Sequence, residues 1–266
     1  MKKNHAQIVA TIGPATQHKD ILLAVVRQAD AIRINFSWGT RDEHAENIRL
    51  IREEAKQADR KILIIQDLSG PRIQEKDGHE FDENALSDIT PQDIIDLKFG
   101  TEQNVDMVAM SYVGNASDIH KLREEIQKCC KMVPIIAKIE RKTAVDKVDE
   151  IIAAADAIMV ARGDLGNEIA LEKIPFVERE IINKCKLAGK PVIVATQMLL
   201  SMTENSKPTR AEVTDVAFAL LSGADAVMLS EETASGKYPV EAVAMMEKII
   251  VETTAHLPNP VFNELE

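Results

Sequence analysis

The chain has 266 residues, 45% of them hydrophobic, which allows one large domain or two small ones with a substantial core. Its formal net charge of −11 excludes a nucleic-acid or membrane-surface partner held by bulk positive charge. Of three cysteines, Cys129 and Cys130 are adjacent and Cys185 stands alone, which excludes a disulfide framework and a CxxC metal site and fits a reducing, cytoplasmic setting.

The N-terminal MKKNHAQIVATIG starts basic, but its apolar stretch is too short for a signal peptide and leads into QIVATIG (7–13), the first predicted strand. DILLAVVRQ (20–28) has helical spacing. DAIRINF (30–36) is the second strand, and the helix after Gly39 opens with Thr40 and Glu43 at the spacing of a capping box. KILIIQDL (61–68) is the third strand. The segment 71–93 is polar and acidic with little periodicity and reads as a loop or small lobe, followed by a helix in DIIDLKFG (93–100). Five more strands follow: VDMVAMSYV (105–113), PIIAKIE (134–140), DAIMVARGD (156–164), PVIVATQM (191–198) and ADAVMLSEE (224–232). Thr209 and Glu212 repeat the capping-box spacing before EVTDVAFALLSG, which ends on Gly223, and EAVAMMEKIIVETTA (241–255) is an amphipathic helix. The tail LPNPVFNELE (257–266) reads as an extended end. No apolar run approaches the roughly 18 residues of a membrane span.

The strands are short, rich in Val and Ile and nearly continuous in apolarity, as parallel strands covered on both faces are. Eight alternations of strand and helix without a break in composition predict an α/β fold, a single (β/α)8 TIM barrel over residues 1–266. The competing open doubly wound sheet lacks a GxGxxG after its first strand.

Barrel chemistry sits at the C-terminal ends of the strands. The runs end in Arg33, Asn35 and Ser37; Asp67; Ser111; Lys138 and Glu140; Arg162 and Asp164; Thr196 and Gln197; and Ser230, Glu231 and Glu232. Lys138 and Glu140, two apart on a strand, point to one face, a pairing that also suits a purely structural ion pair. Carboxylates with neighbouring oxygens and no His/Cys cluster suit a hard cation, Mg²⁺ or Mn²⁺, and Arg33 and Lys138 suit a phosphate or carboxylate. The six histidines have no metal-site spacing and read as mostly surface residues. Met198, Met202, Met228, Met245 and Met246 read as core, and Trp38 as either a stacking platform or packing.

The chain closely resembles the barrel domain of pyruvate kinase, through IVATIGPAT (8–16), IRINFSWGT (32–40), DLSGPRI (67–73), DIIDLKFGTEQNVDMVAMSYV (93–113), IIAKIE (135–140), IMVARGDLGNEI (158–169), GKPVIVATQMLLSM (189–202), PTRAEVTDVAFALLSGADAVMLSEETASGKYP (208–239) and EAVAMM (241–246). The resemblance implies a phosphotransferase converting phosphoenolpyruvate and ADP to pyruvate and ATP with Mg²⁺ and K⁺. It casts Lys138 as the lysine that stabilises the phosphoryl group in flight, Arg33 as the phosphate-binding arginine, and Glu140 and Asp164 as Mg²⁺ ligands. Gly163, Asp164 and Thr196 become the cradle of the substrate carboxylate, with Thr196 also organising proton delivery. Asn35, Ser37, Asp67 and the Leu68 carbonyl become the K⁺ site.

Departures from the family pattern are local. The stretch 72–92 stands where the family inserts a lid domain, Gln74 and Trp38 stand where it has an arginine and a histidine, its SGET reads Ser230–Glu231–Glu232–Thr233, and no C-terminal regulatory domain follows. All bear on the nucleotide side or on regulation. Two further functions therefore stay open: a metal-dependent lyase or decarboxylase acting on an oxaloacetate-like acid, and a non-catalytic ligand-binding barrel. A homo-oligomer is compatible with the family's use of barrel surfaces.

Overall fold

A computed structural model of the chain describes residues 5–75, 78–82, 85, 88–129, 131–258 and 260–265. In chain order the elements are β1 (Gln7–Ile12), α1 (Lys19–Val26), β2 (Ala31–Asn35), α2 (Arg41–Gln57), β3 (Leu63–Asp67), β4 (Arg72–Glu75), β5 (Gly78–Phe81), α3 (Pro91–Glu102), β6 (Met107–Met110) and α4 (Ala116–Lys128). There follow β7 (Ile135–Ile139), α5 (Lys142–Asp146), α6 (Val148–Ala154), β8 (Ala157–Ala161), α7 (Arg162–Glu168), α8 (Ile174–Ala188), β9 (Val192–Ala195), α9 (Arg210–Leu221), β10 (Ala226–Leu229), α10 (Glu231–Ala234) and α11 (Pro239–Ala255). Strands β1, β2, β3, β6, β7, β8, β9 and β10 close a parallel barrel in that order, the predicted (β/α)8 architecture.

Both faces of the strands are buried, for different reasons. One set of alternating residues, including Ile8, Ile32, Ile64, Ile135, Ile158 and Val227, packs outward against the helices. The other set fills the barrel with Val9, Ala31, Leu63, Ile65, Met107, Ile136, Met159, Ile193 and Met228. The apolar continuity of the sequence runs is thus two period-2 patterns superimposed, one per face. The helices start where the sequence places caps. Thr40, Thr90 and Thr209 each accept the backbone N–H three residues on, from Glu43, Asp93 and Glu212, a contact worth about 1 kcal/mol per helix. Gly223, at φ +105, supplies the positive φ that follows α9.

The base of the barrel repeats one device four times. Asp30, Asp106, Asp156 and Asp225 each stand one residue before a strand and accept a backbone N–H from the start of the neighbouring strand. The donors are Ile8, Ile64, Ile135 and Val192, at 2.9, 2.7, 2.8 and 3.1 Å. Helix cations reinforce this device: Asp106 meets Arg52, Asp156 meets Arg123 and Asp225 meets Lys186. The short repeats ADAI, VDMV, ADAI and ADAV at 29–32, 105–108, 155–158 and 224–227 are its trace in the sequence.

One expectation changes and three gain detail. The strands stop before their apolar runs do: Arg162–Asp164 open α7, and Glu231 and Glu232 open α10. Small and apolar residues do not by themselves separate a strand's end from the next helical turn. The stretch 71–93 holds a small lobe, since β4 and β5 pair as an antiparallel hairpin with Arg72 opposite Phe81; the remainder of 72–92 lies partly outside the described residues. The tail docks rather than trails: Leu265 joins the barrel interior, its N–H donating to Gln7 Oε1 at 2.8 Å. Of the histidines, His5, His18, His120 and His256 are exposed as expected and His44 is buried against the Phe36 ring, and the side chain of His79 lies outside the described residues. Trp38 is exposed, while Met198, Met202, Met228 and Met246 are core. Among the described residues no helix is long and apolar enough to cross a membrane.

Candidate active site

The inward-facing rows change character toward the mouth. Apolar at the base, they end in Thr11 on β1, Arg33 and Asn35 on β2, Asp67 on β3, Ser111 just past β6, and Lys138 and Glu140 on and just past β7. Parallel register sets Thr11 beside Arg33 and Asn35 beside Asp67. Alternation therefore explains why a buried strand aims a cation and an anion at one spot: the pair completes a ring of polar ends.

Asp67 is the hub. Its Oδ2 accepts from Arg33 Nε at 2.6 Å and its Oδ1 from Lys138 Nζ at 3.1 Å. Lys138 Nζ also donates to Ser111 Oγ at 2.8 Å and pairs with Glu140 Oε1 at 2.9 Å, so its three donors all have acceptors. Ser111 in turn donates to the Leu68 carbonyl at 2.7 Å, and the second Glu140 oxygen accepts the Tyr112 N–H at 2.7 Å. Two cations and two anions balance in a space where Asp67, Lys138 and Glu140 are all buried. Burial alone would raise the Asp67 pKa, but Lys138 and Arg33 more than offset it and hold the carboxyl below its usual range. Burial would likewise lower Lys138, and Asp67 and Glu140 outweigh it, so the ammonium is held above its ordinary value. Each ion costs several kcal/mol to desolvate. Apolar side chains would fill this space at lower cost, so the network is better explained by chemistry than by stability.

Across the mouth, Thr196 stands at the end of β9 with its hydroxyl accepting from the Gly163 N–H at 2.7 Å and donating to the Ala195 carbonyl at 2.6 Å. Thr196 and Gln197 have φ of +70° and +54°, two successive non-glycine residues in the left-handed region, at about 1–3 kcal/mol each. Arg162 anchors this turn by donating to the Thr196 carbonyl at 2.9 Å. Asp164 is half-buried at the start of α7, and burial first, then the charges of Asp164 and Glu140, push the Tyr112 hydroxyl pKa upward.

Asn35, Ser37, Asp67 and Leu68 come together at the ends of β2 and β3. Asn35 Oδ1 accepts the Ser37 N–H at 3.1 Å, and Ser37 Oγ accepts from Ser69 Oγ at 3.1 Å. Both Asp67 carboxylate oxygens face cations rather than this row.

Not every polar strand end belongs to the mouth. Arg162 points back to Glu178 on α8 and Asp215 on α9. Glu232 is fully buried and accepts the N–H groups of Leu199 and Ser230, which makes it a backbone tie. Arg72 opens β4 of the hairpin, donates to the Ser69 carbonyl at 3.0 Å and lies over the Tyr112 ring, and the side chain of Gln74 lies outside the described residues. Reading strand ends alone missed Tyr112, Phe81 and Ser69. A positive φ at Tyr112 carries no sequence signal in a non-glycine residue.

Glu140 and Asp164 are the residues that could hold a divalent ion. Among the described residues no three His, Cys, Asp or Glu side chains converge, and Mg²⁺ needs no such cage, since one or two carboxylates plus water and substrate phosphate oxygens complete its shell. A carboxylate has about four lone-pair sites, and the two contacts on Glu140 leave room for a metal, so the donor set fits.

With this geometry, the family model described as pyruvate kinase, barrel domain, matches residues 3–86 and 78–243. The chain belongs to the pyruvate kinase family. It is 37% identical to a pyruvate kinase of Thermococcus litoralis over 95% of this chain and 70% of that protein, and 36% identical to one of Dictyostelium discoideum over 92% and 66%. It is also 36% identical to one of Geobacillus stearothermophilus over 94% and 57%. The chain thus spans 57 to 70% of these three relatives. The Thermococcus alignment runs to 334 positions, longer than the chain itself, so that pyruvate kinase carries internal residues this chain lacks.

Proposed function

We propose that the chain transfers the phosphoryl group of phosphoenolpyruvate to ADP, giving pyruvate and ATP, with Mg²⁺ (or Mn²⁺) and K⁺. The observation that carries this reading is the Asp67 hub, which holds Arg33 on one oxygen and Lys138 on the other. A carboxylate bridging two cations fixes their spacing, and a phosphoryl group with three equatorial oxygens is the ligand such a pair suits.

Phosphoryl transfer asks for positioning and charge neutralisation. Arg33, with Nε and Nη1 committed to Asp67 and Thr11, anchors the phosphate. Lys138 follows the moving phosphoryl group, exchanging its longest contact, the 3.1 Å bond to Asp67, for a phosphoryl oxygen. The bond from phosphorus to the enol oxygen breaks, and a bond to a terminal oxygen of ADP forms. Glu140 and Asp164 would hold the divalent ion, which when bound supplies Lewis-acid neutralisation of the phosphoryl and enolate oxygens. Gly163, Asp164 and Thr196 cradle the substrate carboxylate, and the Thr196 hydroxyl organises the proton that converts the enolate to pyruvate. Asn35, Ser37 and the Leu68 carbonyl would hold K⁺, together with the Asp67 oxygen that Lys138 releases. The 72–92 stretch replaces the family's lid in a single-domain barrel, the work is done in the cytoplasm, and no nucleic acid or membrane takes part. A homo-oligomer is compatible with this reading.

The test is pyruvate formation from phosphoenolpyruvate with Mg²⁺ and K⁺, with and without ADP, beside Lys138→Met. ADP-dependent pyruvate with matching ATP, lost in the variant, is expected. Pyruvate without ATP would assign the acceptor to water, and turnover of oxaloacetate alone would replace the kinase with a lyase.

A further inference from the structure

The hairpin that stands after β3 reaches the metal side of the mouth through one residue. Tyr112 follows Ser111 with φ +56, a conformation an L side chain adopts only when its surroundings hold it there. In that conformation its N–H meets Glu140 Oε2 at 2.7 Å. A relaxed, extended backbone at this position would aim the N–H elsewhere.

Three contacts from the segment 70–81 restrain the Tyr112 ring. Gly70, itself at φ +65, approaches so closely that a Cβ there would lie 3.0 Å from Tyr112 Cδ2. The Arg72 guanidinium sits 6.0 Å from the ring centroid. Phe81, the last residue of β5, packs its ring 5.3 Å from that of Tyr112 at a tilt of 52°. Phe81 is itself held from behind, with the Arg141 guanidinium 3.8 Å from its centroid. Arg141 directly follows Glu140 in the chain. The Tyr112 hydroxyl is buried with no hydrogen-bond partner among the described residues, where ring packing rather than the hydroxyl fixes this side chain.

We propose that Phe81 is a positioning residue for divalent-metal binding: its ring clamps Tyr112, and the clamped Tyr112 N–H holds the Glu140 carboxylate in its ligating orientation. The hairpin thereby does in this chain what an outer-shell hydrogen bond does at other metal sites, through a backbone donor kept in place by aromatic packing. This rests on Glu140 being a metal ligand, as proposed above.

The test is direct Mn²⁺ binding to the full chain, followed by electron paramagnetic resonance of the free ion, with hydrogen exchange at the Tyr112 amide as a second readout. Phe81→Ala is expected to weaken Mn²⁺ about tenfold, the lower end of the effect of losing an outer-shell partner, and to speed exchange at Tyr112. Phe81→Tyr, which keeps the ring, restores both. Phe81→Leu keeps apolar bulk without the ring and serves if the alanine variant does not fold; it too loses affinity. Wild-type affinity in the alanine and leucine variants, with binding lost in Glu140→Gln, would overturn the clamp and leave the metal site standing. Equal loss in Phe81→Tyr would also overturn it. Unchanged binding in Glu140→Gln, or no binding by the wild-type chain, would remove the metal reading and the clamp together.

Discussion

At the base of the barrel Asp30, Asp106, Asp156 and Asp225 accept backbone N–H groups from neighbouring strands. At the mouth Asp67 accepts from the side chains of Arg33 and Lys138, and Glu140 pairs with the same lysine. The carboxylates of the base close the sheet, and those of the mouth hold mobile cations at a fixed spacing. A backbone partner cannot leave, whereas a side-chain cation can exchange one acceptor for another. Cations reach both ends and Glu140 also takes the Tyr112 N–H, so the difference lies in the strand-start N–H bonds that every base carboxylate accepts and that Asp67 lacks; on the proposed function the same residue type serves stability at one end and chemistry at the other.

The strongest attempt to break this contrast is Lys138→Met. Turnover should fall about 10²–10³-fold, the cost of losing one preorganised donor, while Asp67 keeps Arg33 and the barrel stays folded by circular dichroism. Retained turnover would make the mouth network structural after all. At the other end, Asp225→Ala removes the acceptor for the Val192 and Asn263 N–H groups. It should cost roughly 2–3 kcal/mol in urea unfolding, given about 1–3 kcal/mol for a buried donor left unsatisfied, with kcat unchanged.

A third variant probes the zone between the two ends. Burial pushes the Glu178 pKa up to about 7 against the pull of Arg162. Because the folded value lies above the unfolded one, near 4.3, this group's stabilising contribution is complete below about pH 4 and is lost as pH rises through 7. Glu178→Gln should therefore flatten the fall in stability between pH 5 and pH 8 by about 1–2 kcal/mol, read from melting curves at both pH values. Asp67 and Lys138 titrate outside that window: the depressed Asp67 loses its contribution only as pH falls through its folded value, below the usual carboxylate range, and the raised Lys138 only as pH rises past the ordinary lysine range. The smallest effect is that of Thr209→Ala, which removes the N-cap of α9 and should cost about 1 kcal/mol with no change in turnover.

Much of this was legible before folding. Val- and Ile-rich runs separated by capped helices specify eight strand–helix units, and the polar residues closing the runs point to the mouth, with Arg162 and Glu232 as exceptions. The two-residue spacing of Lys138 and Glu140 places both on the inner face because strand alternation is local. The capping boxes at Thr40 and Thr209 are legible for the same reason. The base device was less so. Its ADA-like repeats are short, and an aspartate before a strand looks like loop polarity until closure brings the neighbouring N–H to it.

What the sequence by itself determined is therefore whatever depends on near neighbours along the chain: the elements, their order, and the inner or outer parity of each strand residue. Only the tertiary structure decided which charges meet. It turned Arg162 away from the mouth to Glu178 and Asp215, seated Leu265 in the barrel interior, and folded Phe81 onto Tyr112 so that a left-handed backbone aims its N–H at Glu140. Those contacts join residues 16 or more positions apart, and their geometry is set by barrel closure and ring packing, which no local pattern encodes.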